Sequence, residues 1–145
     1  KANNKKSQKS KNHNMKNILV FGVFDKLHKG HKHFLQQAKQ LGNHLTVCVA
    51  QDEVIKTLKR KTPSQTMQER MQQLSTLPYV DKVLPGDVKL SEYTCIKNTS
   101  PDVIAIGYDQ HELMADIKQW VKKHHKIHLE VLPAYKPDIY KTSLL

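Results

Sequence analysis

The feature that most constrains the fold is the short continuous apolar run Ile18-Leu19-Val20-Phe21-Gly22-Val23-Phe24. A run of this kind is what a parallel strand buried on both faces requires. Helical periodicity comes next: between Lys29 and Leu41, the residues Phe34, Leu35, Ala38 and Leu41 share one face, and Gly42 supplies the stop. His44 to Ala50, with Leu45, Val47 and Val49 alternating, reads as a second strand. Strand, helix and strand in this order form a parallel crossover unit, which sets the architecture of the whole domain.

The same alternation continues to the end. Lys56 to Pro63 reads as a basic loop or frayed helix end, and Thr66 to Leu77 as a helix with Met67, Met71 and Leu74 on one side. Tyr79 to Leu84 is a third strand closed by Pro85-Gly86, and Glu92 to Asn98 a short helix. Val103 to Gly107 is a fourth strand, Glu112 to Lys123 a helix carrying Leu113, Ile117, Trp120 and Val121, and Ile127 to Leu132 a fifth strand. The pattern predicts an α/β protein: a single Rossmann-like domain over 15–145, its five-stranded parallel doubly wound sheet covered by helices on both faces. There is no internal repeat.

Composition narrows the function classes. Of 24 Lys and Arg in the chain, Lys1, Lys5, Lys6, Lys9, Lys11 and Lys16 fall in the opening sixteen residues, which hold no acid. Without them the net charge of +11 drops to 18 minus 13, or +5, an ordinary value for a protein that handles phosphate-bearing small molecules. Residues 1–14 read as a disordered basic arm able to attract nucleic acid only weakly and without sequence preference. The ordered part lacks an aromatic-interleaved basic patch, so a nucleic-acid-binding module is the weaker, different-class reading. No apolar run approaches the roughly 18–20 residues that span a bilayer, and no signal-peptide pattern opens the chain, so the expectation is a cytoplasmic protein without a membrane partner. Cys48 and Cys95 form no C-x-x-C pair. Neither His28, His31 and His33 nor His124, His125 and His128 bring a Cys or carboxylate at metal-binding spacing, so no protein-held metal is expected.

Ligands of a doubly wound sheet bind beyond the carboxyl ends of its strands, beside helix N-termini that attract phosphate. The richest segment lies at such a place: Gly22-Val23-Phe24-Asp25-Lys26-Leu27-His28-Lys29-Gly30-His31 joins the first strand to the first helix. Gly30 would let a phosphate approach the backbone, and His28 and His31 would offer imidazole N–H groups from one helical turn.

This segment resembles the H-x-G-H signature of the cytidylyltransferase-like nucleotidyltransferases. Their opening pattern, G-[TV]-[FY]-D-x-x-H-x-G-H-x-x-x-L-x-x-A-K-x-L-G, is matched from Gly22 to Gly42, including Leu35, Ala38, Lys39 and Leu41. The resemblance implies transfer of a nucleoside monophosphate from ATP or CTP to a phosphate-bearing small molecule, with release of pyrophosphate. It assigns His28 and His31 to catalysis by binding the triphosphate and stabilising transition-state charge, and Gly22, Val23, Phe24, Asp25 and Gly30 to the nucleotide site. Asp25 is read there as fixing the turn or orienting a histidine rather than acting as a base. Mg²⁺ would accompany the triphosphate, held mainly by phosphates and water. Lys59 and Lys61 stand where the family places basic residues, Lys59 toward the acceptor phosphate and Lys61 toward the nucleotide. Arg70, in Glu69-Arg70, is assigned to the acceptor, with pairing to an acid as its alternative. A homodimer is also implied.

The fourth strand ends in Gly107-Tyr108-Asp109-Gln110, which resembles the archaeal-type FAD synthases that adenylylate FMN. That places Gly107 and Asp109 at the nucleotide and favours ATP with FMN over the alternative, CTP with glycerol phosphate or phosphocholine. Near the end, Tyr140-Lys141-Thr142-Ser143 keeps only part of the R-T-x-G-[IV]-S-[TS]-[ST] element of many relatives. Thr142 and Ser143 are expected to offer hydroxyls to the nucleotide, with the helix they would start cut short, and Tyr135 to stack on the base. An inactive nucleotide-binding relative is the reading this partial element would favour, and the intact His28 and His31 oppose it.

Overall fold

The computed structural model describes residues 16–59, 62–88, 92–124 and 127–133. Chain order is β1 (Asn17–Gly22), α1 (Lys29–Lys39), β2 (His44–Val49), α2 (Asp52–Lys59), α3 (Met67–Ser75), β3 (Lys82–Pro85), α4 (Thr94–Thr99), β4 (Val103–Gly107), α5 (His111–His124) and β5 (His128–Leu132). The strands form one sheet in the order β3-β2-β1-β4-β5, and every pairing is parallel. This is the predicted doubly wound arrangement, in which the chain winds one way from β1 to β3 and the other way from β4 to β5.

The period-2 alternation of the strands explains the two cores. Ile18, Val20, Leu45, Val47, Val49, Val103 and Ala105 point to one face and pack with Leu35 and Ala38 of α1 and Leu74 of α3. Leu19, Cys48, Ile104 and Ile106 point to the other, against Cys95 and Ile96 of α4 and Ile117 of α5. Both faces of β1 are therefore dry, which is why its sequence is apolar without interruption. Among the described residues no helix is long and apolar enough to cross a membrane.

Two expectations need adjustment. The segment from Lys56, read as a basic loop or frayed helix end, opens with the end of a helix, α2, which starts earlier than that reading and whose first turn carries Asp52 and Glu53. Carboxylates there complement the positive end of the helix dipole, a signal that the run of lysines farther on obscures. The third strand starts at Lys82, later than Tyr79, because Val80 N–H closes a turn onto Leu77 C=O and Asp81 is occupied with Lys39 and the Leu45 N–H. Pro85 ends β3, the edge strand, where a missing N–H is tolerated.

Candidate active site

The carboxyl end of β1 is shaped by one aromatic ring. Phe24 takes a left-handed backbone conformation (φ 53°) and so does Lys26 (φ 50°), a strained choice for side-chain-bearing residues. The Phe24 ring is buried and lies so close over Gly22 that a Cβ there would come within 2.5 Å of a ring carbon. Gly22 thus makes room for Phe24. The same ring meets His31 edge-on, with centroids 5.5 Å apart.

His28 and His31 form a reciprocal cap at the start of α1. His28, in extended conformation, accepts at Nδ1 from the N–H groups of Gly30 (3.1 Å) and His31 (3.4 Å), while His31 Nδ1 accepts from the His28 N–H (3.3 Å). A backbone N–H can only donate, so both Nδ1 atoms must carry lone pairs. A neutral imidazole then has its proton on Nε2. The rings stack with centroids 3.7 Å apart at 21°, and each keeps Nε2–H as its remaining donor. Burial, and next the neighbouring His28, pull the pKa of His31 down to about 4, against the opposite influence of Asp25 and Asp109. The pair is a set of two neutral donors at a helix N-terminus, suited to phosphate oxygens. Gly30 serves this geometry too: a Cβ there would sit 3.0 Å from His28 Cε1.

Asp25 belongs to a latch between two loops. Its carboxylate accepts from the N–H groups of Ser64 (2.8 Å) and Gln65 (2.9 Å), and the Gln65 side-chain oxygen accepts from the Lys26 N–H (2.8 Å). Burial raises the Asp25 pKa, but the two N–H groups, with Arg70 and Lys26 nearby, outweigh it and hold the carboxyl below its ordinary value. Each oxygen is engaged by a backbone N–H, which ties this turn to the loop before α3.

Arg70 lies beneath that latch and is fully buried. It donates to the carbonyls of Val23 (2.8 Å), Ala50 (3.0 Å) and Gln65 (3.2 Å) and forms an ion pair with Asp52. The contact shown for Val23 is this acceptance by its carbonyl from Arg70. The guanidinium ties the ends of β1 and β2 to the loop before α3, so of the two expected roles for Arg70 the structure displays pairing to an acid. An acceptor phosphate would have to displace four partners to reach it.

On the other side of β1, the turn after β4 presents Tyr108 and Asp109 at the surface. Gly107 N–H donates to the Gln110 side chain at 2.8 Å, and a Cβ on Gly107 would lie 3.1 Å from an Asp109 oxygen. His28, His31, Gly30 and Asp25 thus gather at the end of β1, and Gly107 and Asp109 at the end of the adjacent β4. Lys59 ends α2, with its side chain outside the described atoms; Lys61, Tyr135, Thr142 and Ser143 lie outside the described residues. Sequence reasoning passes over Asp52, Gln65 and the bonding of Gln110. Each acts on a partner remote in sequence, which local spacing does not reveal.

A family model described as Cytidylyltransferase-like matches residues 19–143. The chain belongs to the cytidylyltransferase-like family. Among similar members of known name, the FAD synthase of Thermococcus kodakarensis is 43% identical over 129 residues, covering 87% of this chain and 86% of that protein. The FAD synthase of Pyrococcus horikoshii is 41% identical over 132 residues, with the same coverage. The crystal structure of a lipopolysaccharide core biosynthesis protein from Thermoplasma volcanium is similar with a TM-score of 0.78 at 30% identity, covering 84% of this family member and 99% of that chain.

Proposed function

We propose that this chain transfers the adenylyl group of ATP to the phosphate of FMN, forming FAD and pyrophosphate. The observation that carries the reading is the 41–43% identity to FAD synthases over 87% of the chain. A phosphate oxygen of FMN attacks the α-phosphorus of ATP in line, a new P–O bond forms, and the bond to the β-phosphate breaks with its electron pair leaving on pyrophosphate. The attacking phosphate is already an anion at neutral pH, so the step needs no general base. That fits a site in which each oxygen of the Asp25 carboxylate already accepts a backbone N–H.

What the step does need is placement and stabilisation of charge. The Nε2–H groups of His28 and His31 supply two fixed donors, already oriented by the helix they cap. Because they are neutral, they stabilise developing charge through oriented dipoles without having to give up a proton. In this reading Tyr108 and Asp109, exposed on the β4 side, contact the nucleoside. A divalent cation, Mg²⁺ in this reading, would neutralise the triphosphate. Among the described residues no group of three or more His, Cys, Asp or Glu could hold a metal ion. Such a cation would take its ligands from phosphate and water. Two buried free thiols, Cys48 and Cys95, suit the reducing cytoplasm.

The test is a panel of ATP and CTP against FMN, glycerol phosphate and phosphocholine, scored by pyrophosphate release and, for FMN, by chromatographic detection of FAD. FAD formation from ATP supports the proposal. CTP-dependent turnover with glycerol phosphate or phosphocholine, and none with FMN, replaces it with the cytidylyl reading.

A further inference from the structure

β1 and β4 separate before they end. Their pairing runs Ile18↔Val103, Leu19↔Ile104 and Val20↔Ala105, yet β1 continues to Gly22 and β4 to Gly107. Toward β2 the pairing of β1 persists to Gly22↔Val49. The gap on the β4 side is the crevice at which a doubly wound sheet binds its ligand, and it leaves ladder groups of both strands in need of partners.

A single side chain supplies them. Gln110 Oε1 accepts from the Gly107 N–H at 2.8 Å, and Gln110 Nε2 donates to the Phe21 carbonyl at 3.0 Å across 89 residues of sequence. The main chain of Gln110 is fixed as well: its N–H donates to Gly107 C=O at 3.0 Å, and its carbonyl accepts from Met114 N–H at 2.9 Å to open α5. Between these anchors stand Tyr108, with 52% of its surface exposed, and the exposed Asp109. A turn that only joined β4 to α5 could leave its polar groups to water. Here the turn is bound instead to the strand that carries the histidine loop, so an aromatic face and a carboxylate are held at a set distance from His28 and His31. Those groups suit a nucleoside: a ring to stack on the base and an acceptor for ribose hydroxyls or an exocyclic amine.

We infer that Gln110 is a positioning residue for nucleotide binding, its carboxamide replacing the ladder hydrogen bonds lost where β1 and β4 diverge and thereby aiming Tyr108 and Asp109 at the nucleoside. The inference rests on reading the chain as a nucleotidyltransferase whose nucleotide occupies this crevice. Contacts to the nucleoside are made in ground and transition states alike, so their loss should raise KM and spare kcat.

The experiment compares Gln110→Met, similar in length but without the hydrogen bonds, and Gln110→Glu, which keeps an acceptor for Gly107 but sets a carboxylate oxygen against the Phe21 carbonyl. Rates are taken well below the melting temperature of each variant. The expected result is a KM for ATP raised about tenfold, with kcat within about threefold and KM for FMN unchanged, and Gln110→Glu affected at least as strongly as Gln110→Met. A lowered Tm with KM for ATP unchanged shows a purely structural role and overturns the inference, as does a fall in kcat at constant KM. If the unaltered protein uses CTP, the adenylyl reading fails while the same split, measured with CTP, still decides the role of Gln110. If no acceptor is turned over, calorimetric Kd values for ATP and CTP replace KM, and equal values in variant and parent overturn it.

Discussion

The loop after β1 and the turn after β4 border the same crevice but are held in opposite ways. The β1 loop contains two left-handed residues and is restrained from outside, by Arg70 beneath Val23, by Ser64 and Gln65 against Asp25, and by the Phe24 ring folded over Gly22. The β4 turn is restrained by one of its own residues, Gln110. Strain is tolerated where many distant contacts determine the conformation together, and the β1 loop is where the catalytic histidines stand in the proposed reaction. A turn closed by its own neighbour is easier to alter without disturbing the rest. The difference suggests that chemistry depends on the first loop and nucleoside binding on the second.

The strongest way to break that comparison is at Arg70. Arg70→Met should cost about 3 kcal/mol or more of stability, because three carbonyls and Asp52 lose a buried donor at once. Urea denaturation measures it, and a loss under about 1 kcal/mol would mean that the β1 loop does not depend on its outside supports. Next in size is the histidine pair. His31→Asn retains a side-chain acceptor for the His28 N–H but lacks the ring donor, so turnover should fall about a hundredfold or more while Tm changes by only a few degrees. Steady-state rates and thermal melts on one preparation separate these effects.

On the β4 side, Asp109→Ala should weaken ATP binding about tenfold by calorimetry, with stability close to that of the parent, since the side chain is exposed. A Tm loss comparable to that of Arg70→Met would erase the contrast between the two regions. A further test concerns pH. With its native pKa near 4 against an ordinary 6.5, His31 stays neutral in the fold while the unfolded chain takes up a proton. Its contribution to stability is complete above about pH 6.5 and is lost as pH falls toward 4. Melting curves across that window should show a drop that His31→Asn reduces, and an identical drop in both proteins would remove His31 as its source.

The fold is legible in the sequence because its signals are local. β1 announces itself by apolar continuity, α1 by the spacing of Leu35 and Ala38, and the crossovers by their order. α2 is hard to read because eight residues offer little periodicity and lysines dominate its second half. The candidate site divides along the same line. His28, Gly30 and His31 lie within one turn and can be found together, whereas the Gln65, Arg70 and Gln110 side chains reach partners 39, 47 and 89 residues away. Gly30 stands out in the sequence as a place where a phosphate could approach, and the resemblance puts Gly22 at the nucleotide, yet the groups lying against these two glycines are the rings of His28 and Phe24. A sequence marks where a small residue is needed, but the neighbour that needs the space appears only when the loop is folded.

The reciprocal cap at α1 couples two properties that are usually separate. Each Nδ1 lone pair both fixes the tautomer of its ring and closes a backbone N–H of the first helical turn. Adding a proton to the His31 ring at Nδ1 therefore also frees the His28 N–H, which must find another acceptor. An incoming polyanion is such an acceptor, since it can take the backbone donor that a protonated imidazole abandons and stabilise the new positive charge with the same oxygens. The proton affinity of His31, low in the empty site, should therefore rise when a polyanion fills it, with proton uptake accompanying nucleotide binding below neutral pH.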